Sequence, residues 1–234
     1  MSYSDAVAVK VTGDYACFTR PEAKVERASY SVPTPSACRN ILDSICWKPE
    51  MRWVVTSIRV LKPIRWLSVR RNELQSKLSP SAVRKWMADP RQYQPQLAGA
   101  GPDTDATPRN SLILRDVAYV ISAYPLVFSK EPDNTPQKYA AMLMRRAEKG
   151  QCFQRPSLGC REFTAEFEPA TGNEPGVEQS EELGRTLYDI VFRPNGNRAV
   201  FFSPRLESGN IDTHPERVLD PEIREELLAC SYKR

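Results

Sequence analysis

Near its start the chain alternates apolar and polar positions. In AVAVKVTG (Ala6–Gly13) the period is two, as in a half-buried strand. In SVPTPSACRNILDSICWKP the period lengthens. Ala37, Ile41, Leu42 and Ile45 recur at helical spacing behind Thr34, a capping residue type, and Pro35, which suits the first helical position. Pro49 marks where this helix has ended. MRWVVTSIRVLKPIRWLSVRR is dense in β-branched and aromatic residues and is broken at Pro63, so it predicts strands over 51–60 and 64–71.

The pattern fades over 74–111. SPSAVRKWMADP predicts a short helix from Ser79, and QPQLAGAGPDTDATPRN reads as a long loop, so 74–111 is expected to be an insertion. A strand pattern returns in SLILRDVAYVISAYPLVF, about 112–128. Thr135 and Pro136 resemble a helix start. Tyr139, Met142, Leu143 and Ala147 form its apolar stripe, and Gly150 ends it. CREFTAEFE (Cys160–Glu168) predicts a further strand. The resulting order is the ferredoxin-like βαββαβ order, which RNA-recognition modules also use. Beyond Gly172 an acidic linker precedes strand-like TLYDIVF (186–192) and AVFFSPRL (199–206), joined by a PNGN turn, and DPEIREELLACSYKR predicts a short helix. The expected class is therefore α+β: a ferredoxin-like domain over 1–170, then a small antiparallel β domain with a C-terminal tail over 171–234.

A chain of 234 residues is ample for a packed core, and no run approaches the roughly 20 apolar residues of a membrane span. MSYSDAVAVK lacks the basic start and apolar block of a signal peptide, which points to the cytoplasm. The six cysteines contain no CxxC pair; Cys38 and Cys46, on the predicted first helix, suit buried thiols. His214 is the only histidine and sits in a loop-like THPE context. Neither a metal site nor a cofactor is expected. Charge is segregated: residues 1–85 hold 15 Lys/Arg against 7 Asp/Glu, whereas 161–234 hold 9 against 15. Such asymmetry fits a molecule with one side turned to a polyanion.

Candidate chemistry gathers around QKYAAMLMRRAEKGQCFQRPSLGCREF (Gln137–Phe163). Gly150 and Gly159 bracket a loop that can approach phosphates closely. Arg145, Arg146, Lys149, Arg155 and Arg161 supply countercharge, and Phe153 is placed to stack on a base. Arg20, Lys24 and Arg27 follow the first strand, and Arg70, Arg71 and Lys77 lead into the insertion. Both groups are candidates for an RNA path. A solvated basic surface is the alternative for each group. Trp47, Trp53 and Trp66 read as packing residues rather than stacking platforms.

Several longer blocks resemble a known family. GDYACFTRPEAKVERASYSVPTPSACRNIL, ICWKPEMRWVV, LKPIRW, VRRNE, LRDVAYVI and GQCFQRPSLGCREF occur in order across about residues 8–168. They are similar to blocks of the CRISPR-associated Cas-five-d proteins, the type I-C members of the Cas-five family. TLYDIVF and ESGNID match more weakly. The resemblance implies a protein that binds the repeat hairpin of a CRISPR transcript and cuts it without metal. It further implies that the protein stays on the mature guide RNA among the other subunits of a type I-C surveillance complex; double-stranded DNA is a further implied ligand.

The family assigns catalysis to a Tyr at the end of the first helix and a Lys-His pair starting the second. These positions match Cys46, Lys138 and Tyr139 here, so only the lysine is kept. Metal-independent cleavage uses the RNA's own 2′-hydroxyl, with acid–base help and a cation at the phosphate. Lys138 suits the phosphate or proton exchange. Tyr139 can hydrogen-bond a hydroxyl, but with a reference pKa of about 10 it is a poor base near neutrality; it also lies on the apolar stripe. Cys46 suits packing as well as chemistry. Two readings follow: an endoribonuclease with altered chemistry, or a subunit that clamps the 5′ handle of a guide RNA without cutting it.

Overall fold

The computed structural model describes residues 6–23, 25–97, 99, 105–193 and 196–229. Lys24 lies outside these. Its first strand, β1 (Val7–Ala16), leads through a loop to helix α1 (Pro35–Ile45). Thr34 caps α1 as its sequence predicts: its side chain accepts from the Ala37 amide at 3.1 Å, satisfying one of the helix's orphan donors. Strand β2 (Met51–Val60) has the expected bounds, and β3 (Trp66–Leu74) runs slightly past its predicted end.

The 74–111 segment departs most from expectation. Helix α2 (Pro80–Ala88) and a single 3-10 turn (Pro90–Gln92) follow β3, and β4 (Ala106–Val127) is 22 residues long. Its first part, Ala106–Leu114, pairs with all of β3, so Ala106–Asn110, the last residues of the expected loop, belong to a long hairpin arm. β3 and the short helix from Ser79, which is α2, were expected; the start of β4 escaped the sequence pattern because none of Ala106–Asn110 is buried. Asp116 marks the point where β4 passes from arm to sheet. It has φ of 53° and ion-pairs with Lys62 and Arg65. Asp is one of the few non-glycine types that tolerates this region.

Helix α3 (Pro136–Glu148) is capped by Thr135, and β5 (Glu166–Pro169) follows. β5 is shorter than the predicted Cys160–Glu168 strand because residues 157–164 close a tight turn, with Leu158 donating to the Phe163 carbonyl at 2.7 Å. Then come β6 (Glu181–Glu182), β7 (Thr186–Val191), β8 (Arg198–Phe202), β9 (Arg205–Leu206), β10 (Asn210–Asp212), α4 (Pro215–Val218) and α5 (Pro221–Ala229). The predicted 199–206 strand is split at Pro204, which cannot donate to a ladder. β7 and β8 form an antiparallel hairpin, and β6 pairs with β9.

The main sheet runs β10-β2-β4-β1-β5, antiparallel throughout, with β3 on the arm. Setting aside β10, this is the neighbour order of a ferredoxin-like βαββαβ unit. β10 was not foreseen: three residues, too short to carry a period, pair with Ser57–Arg59 on the margin of β2. Helices α1 and α3 pack on the sheet. Ile41, Leu42 and Ile45 from α1, Tyr139 and Leu143 from α3, and Val9, Trp53, Ile58 and Ile121 from the sheet share one core. Removing one such side chain, as in Leu143→Ala, is worth about 2–5 kcal/mol. A second cluster, Tyr188, Val191, Val200, Phe202, Leu219 and Leu227, joins the β7–β8 hairpin to α4 and α5.

His214 is not the solvated loop residue its context implied. It is 2% exposed, and its Nδ1 accepts from the Glu216 amide at the start of α4. Cys17, Cys38, Cys46, Cys152 and Cys160 are free thiols. Among the described residues no helix is long and apolar enough to cross a membrane.

Candidate functional site

The loop between α3 and β5 is held to α1 by its backbone. The Phe153 amide donates to the Ser44 carbonyl at 2.9 Å, and Gln154 donates to the same oxygen at 3.0 Å. Arg146 Nη1 donates to the Ile45 carbonyl at 2.7 Å. The loop and α3 thus satisfy carbonyls that the end of α1 leaves open. Further along, the Cys17 amide donates to the Leu158 carbonyl at 2.9 Å, and the Leu158 side chain is fully buried.

The two glycines differ. Gly150 has φ of 61° with open space where a Cβ would lie, and it ends α3. Gly159 has φ of 89°, and a Cβ there would sit 1.9 Å from the Cys17 carbonyl oxygen. Only glycine permits this approach of the loop to β1.

An open cleft of about 790 Å³ lies between α1, this loop and the residues after β1. Arg155 and Arg161 line it together with Trp47 and Phe153, whose ring centroids are 6.4 Å apart, and Asp43 is the carboxylate on its wall. Phe153 is 67% exposed, as a stacking surface requires, whereas Trp53 is in the core; Trp66, expected to pack, is exposed at the start of β3. Trp47 was expected only to pack, yet it shares this wall.

Several basic candidates are engaged internally. Arg27 Nη1 lies 3.1 Å from Cys160 Sγ and 3.6 Å from Glu162, and Arg71 also pairs with Glu162. The Cys160 thiol is drawn below its ordinary range by hydrogen bonding with Cys17 and by Arg27. Arg155 pairs with Glu166, and Arg20 lies over the Tyr30 ring at 5.0 Å. Arg70, Lys77, Arg145, Lys149 and Arg161 are exposed. Arg70 and Lys77 lie on the arm and are not among the residues lining the cleft.

The three positions matched to family catalysis fall in one neighbourhood at different depths. Lys138 is exposed in the first turn of α3, with Nζ 3.1 Å from Asn134 Oδ1 and 5.7 Å from the Tyr139 ring centroid. Tyr139 and Cys46 have no exposed surface. Burial raises the Cys46 thiol pKa, and the Cys46 carbonyl accepts from Trp53 Nε1 at 2.8 Å. The Tyr139 hydroxyl is shared between Glu50 Oε1 at 2.7 Å and Asn134 Oδ1 at 2.9 Å. Burial first, then Glu50, pushes this phenol up to about 12. In return its hydrogen bond holds the Glu50 carboxyl below the usual range, helped by Lys48 and Lys138. Glu50 is partly exposed, and its amide-linked carbonyl is pinned by the Phe128 amide at 2.8 Å.

Sequence reasoning missed Glu50 and Asn134. Glu50 closes the WKPE run right after Cys46, and Asn134 stands just before the α3 cap; their position beside matched residues was the available signal.

This arrangement defines a ferredoxin-like α+β protein with a basic, glycine-bounded loop docked on its first helix. The fold is shared with a Streptococcus mutans protein, SMU1763c (TM-score 0.62, 21% identity, 93% of each chain), and with a CRISPR-associated protein (TM-score 0.61, 23% identity, 88% of this chain and 90% of that one). The chain belongs to the CRISPR-associated Cas5d family, whose model matches residues 6–220. It is 46% identical over 220 residues to the CRISPR pre-crRNA endoribonuclease Cas5d of Mannheimia succiniciproducens, covering 91% of this chain and 96% of that one. It is 41% identical over 203 residues to the protein of the same name from Thermus thermophilus, covering 87% and 81%.

Proposed function

We propose that the protein binds the repeat hairpin of a precursor CRISPR RNA and cleaves it through 2′-hydroxyl attack, without a metal ion. It then stays on the guide RNA as a subunit of a type I-C surveillance complex in the cytoplasm. The observation that carries this reading is the 46% identity, over nearly the full length of both chains, to a CRISPR pre-crRNA endoribonuclease.

The geometry supplies roles. Arg155 and Arg161 attract the sugar–phosphate chain into the cleft, and Trp47 and Phe153 offer aromatic surface to unstacked bases. Lys138 presents an ammonium at the start of α3, where the helix dipole also favours an anion. There it stabilises the charge that builds on the phosphorane.

Burial of Tyr139 and Cys46 favours a second reading, in which the site grips the 5′ handle and another agent cuts. Incubation of the purified protein with its cognate repeat RNA in chelator separates the two. A single-site product ending in a cyclic phosphate is expected. No cleavage above a protein-free control, at large enzyme excess, leaves only the binding role.

A further inference from the structure

We propose that Glu50 is the general base that removes the 2′-hydroxyl proton, and that buried Tyr139 is a positioning residue that holds it. This rests on the ribonuclease reading above and adds the residue that takes the place of the absent histidine.

The reaction needs a proton acceptor at the surface, close to the cation that meets the phosphate. His214 is buried at the start of α4, and it is the only histidine in the chain. Cys46 and Tyr139 are sealed from solvent, and both titrate above their ordinary values. A buried phenol held protonated donates a hydrogen bond; it does not collect a proton. The recipient of that bond is Glu50 Oε1, at 2.7 Å.

Four side chains form one connected chain: Glu50 accepts from the Tyr139 hydroxyl, that hydroxyl also meets Asn134 Oδ1, and Asn134 Oδ1 accepts from Lys138 Nζ. Of the four only Tyr139 is buried; the chain ends in a partly exposed carboxylate on one side and an exposed ammonium on the other. Asn134 is fixed in turn by donating from Nδ2 to Ser129 Oγ at 2.9 Å. A proton acceptor and a proton donor are thus tied together through the buried Tyr139 hydroxyl and Asn134, with both ends open to a substrate.

The step balances without a cofactor. Glu50 takes the proton of the 2′-hydroxyl as the 2′-oxygen bonds to phosphorus. The bond from phosphorus to the 5′-oxygen breaks, and that oxygen takes a proton from the Lys138 ammonium. The products are a 2′,3′-cyclic phosphate and a 5′-hydroxyl, and solvent returns both side chains to their starting states. The hydrogen bond from Tyr139 keeps Glu50 ionised into the acid range, with Lys138 on the same helix and Lys48 on the preceding loop adding to it.

The test is single-turnover cleavage of cognate repeat RNA in chelator, from acid to neutral pH, by wild type, Glu50→Gln, Glu50→Asp and Tyr139→Phe. Affinity is measured in parallel on RNA carrying a 2′-deoxy sugar at the cut. Glu50→Gln is expected to lose about 10²–10⁴ in rate with affinity within about twofold of wild type. Glu50→Asp recovers part of the rate, and Tyr139→Phe moves the acid limb of the profile to higher pH. A Glu50→Gln rate within about threefold of wild type overturns the assignment, as does a rate loss matched by an equal loss of affinity. A wild type that binds and never cuts overturns the ribonuclease reading itself, which is a different outcome from a cutting wild type with an equally active Gln variant.

Discussion

Arg52 of β2 and Asp189 of β7 form a buried ion pair, Nη2 to Oδ2 at 2.7 Å, with each side chain at most 6% exposed. The other carboxylate oxygen accepts from Arg39 Nη2 of α1 at 2.9 Å. One carboxylate thus answers cations from two elements, α1 and β2. Asp189→Asn leaves both guanidinium groups without it, and a loss of about 3–5 kcal/mol is expected. Urea unfolding of the two proteins measures it; a midpoint close to wild type would show that the pair is dispensable.

The bracketing glycines are expected to behave unequally. Gly150→Ala meets open space and bears only the strain of its positive φ, about 1 kcal/mol. Gly159→Ala drives a methyl into the Cys17 carbonyl, so the loop must shift. A larger drop in melting temperature and weaker repeat-RNA binding are expected for Gly159→Ala. Equal behaviour of the two variants would argue against close docking of this loop.

Arg161 is exposed on the cleft wall. If it meets a phosphate, Arg161→Ala weakens repeat-RNA binding and reduces the slope of log affinity against log salt by about 0.7–1. An unchanged slope, measured by filter binding at several salt concentrations, removes it from the RNA path.

Lys138→Ala is expected to lower the cleavage rate far more than affinity, because its charge is used as the phosphorane forms; the scale is about 10²–10³-fold. Single-turnover rates with and without the substitution decide this. Unchanged cleavage would take Lys138 out of the mechanism.

His214 gives a clean titration, since its imidazole signal is unique in the chain. Burial first, then Arg217, lowers its pKa from the usual 6.5. The folded state therefore binds this proton less readily than the unfolded chain does. The imidazole's contribution to stability is complete above the unfolded value and is lost as pH falls through it toward the folded one. A proton NMR midpoint at or above 6.5 would contradict the burial.

The strands and helices that build the core were legible because each buries one face: Thr34 and Thr135 both cap where predicted, and β2 keeps its expected bounds. Within the arm β3 and α2 were legible, the start of β4 was hidden because none of Ala106–Asn110 is buried, and β10 was hidden because three residues hold no period. At the site, residue types were visible but depth was not. Tyr139 satisfied both the apolar stripe and the family match, and only its packing shows that the hydroxyl turns to Glu50. Glu50 itself lies in a loop, where periodicity says nothing.

The pairing of β10 with β2 has a consequence for biogenesis. Ser57–Arg59 pair with β4 on one side, and their other edge is covered only when Asn210–Asp212 have been synthesised. Until then β2 offers unsatisfied amides and carbonyls to any passing strand, the situation that invites aggregation. Nascent or prematurely terminated chains should therefore draw on chaperones more than the finished protein does, and Asn210–Asp212 act as an edge guard for that part of β2.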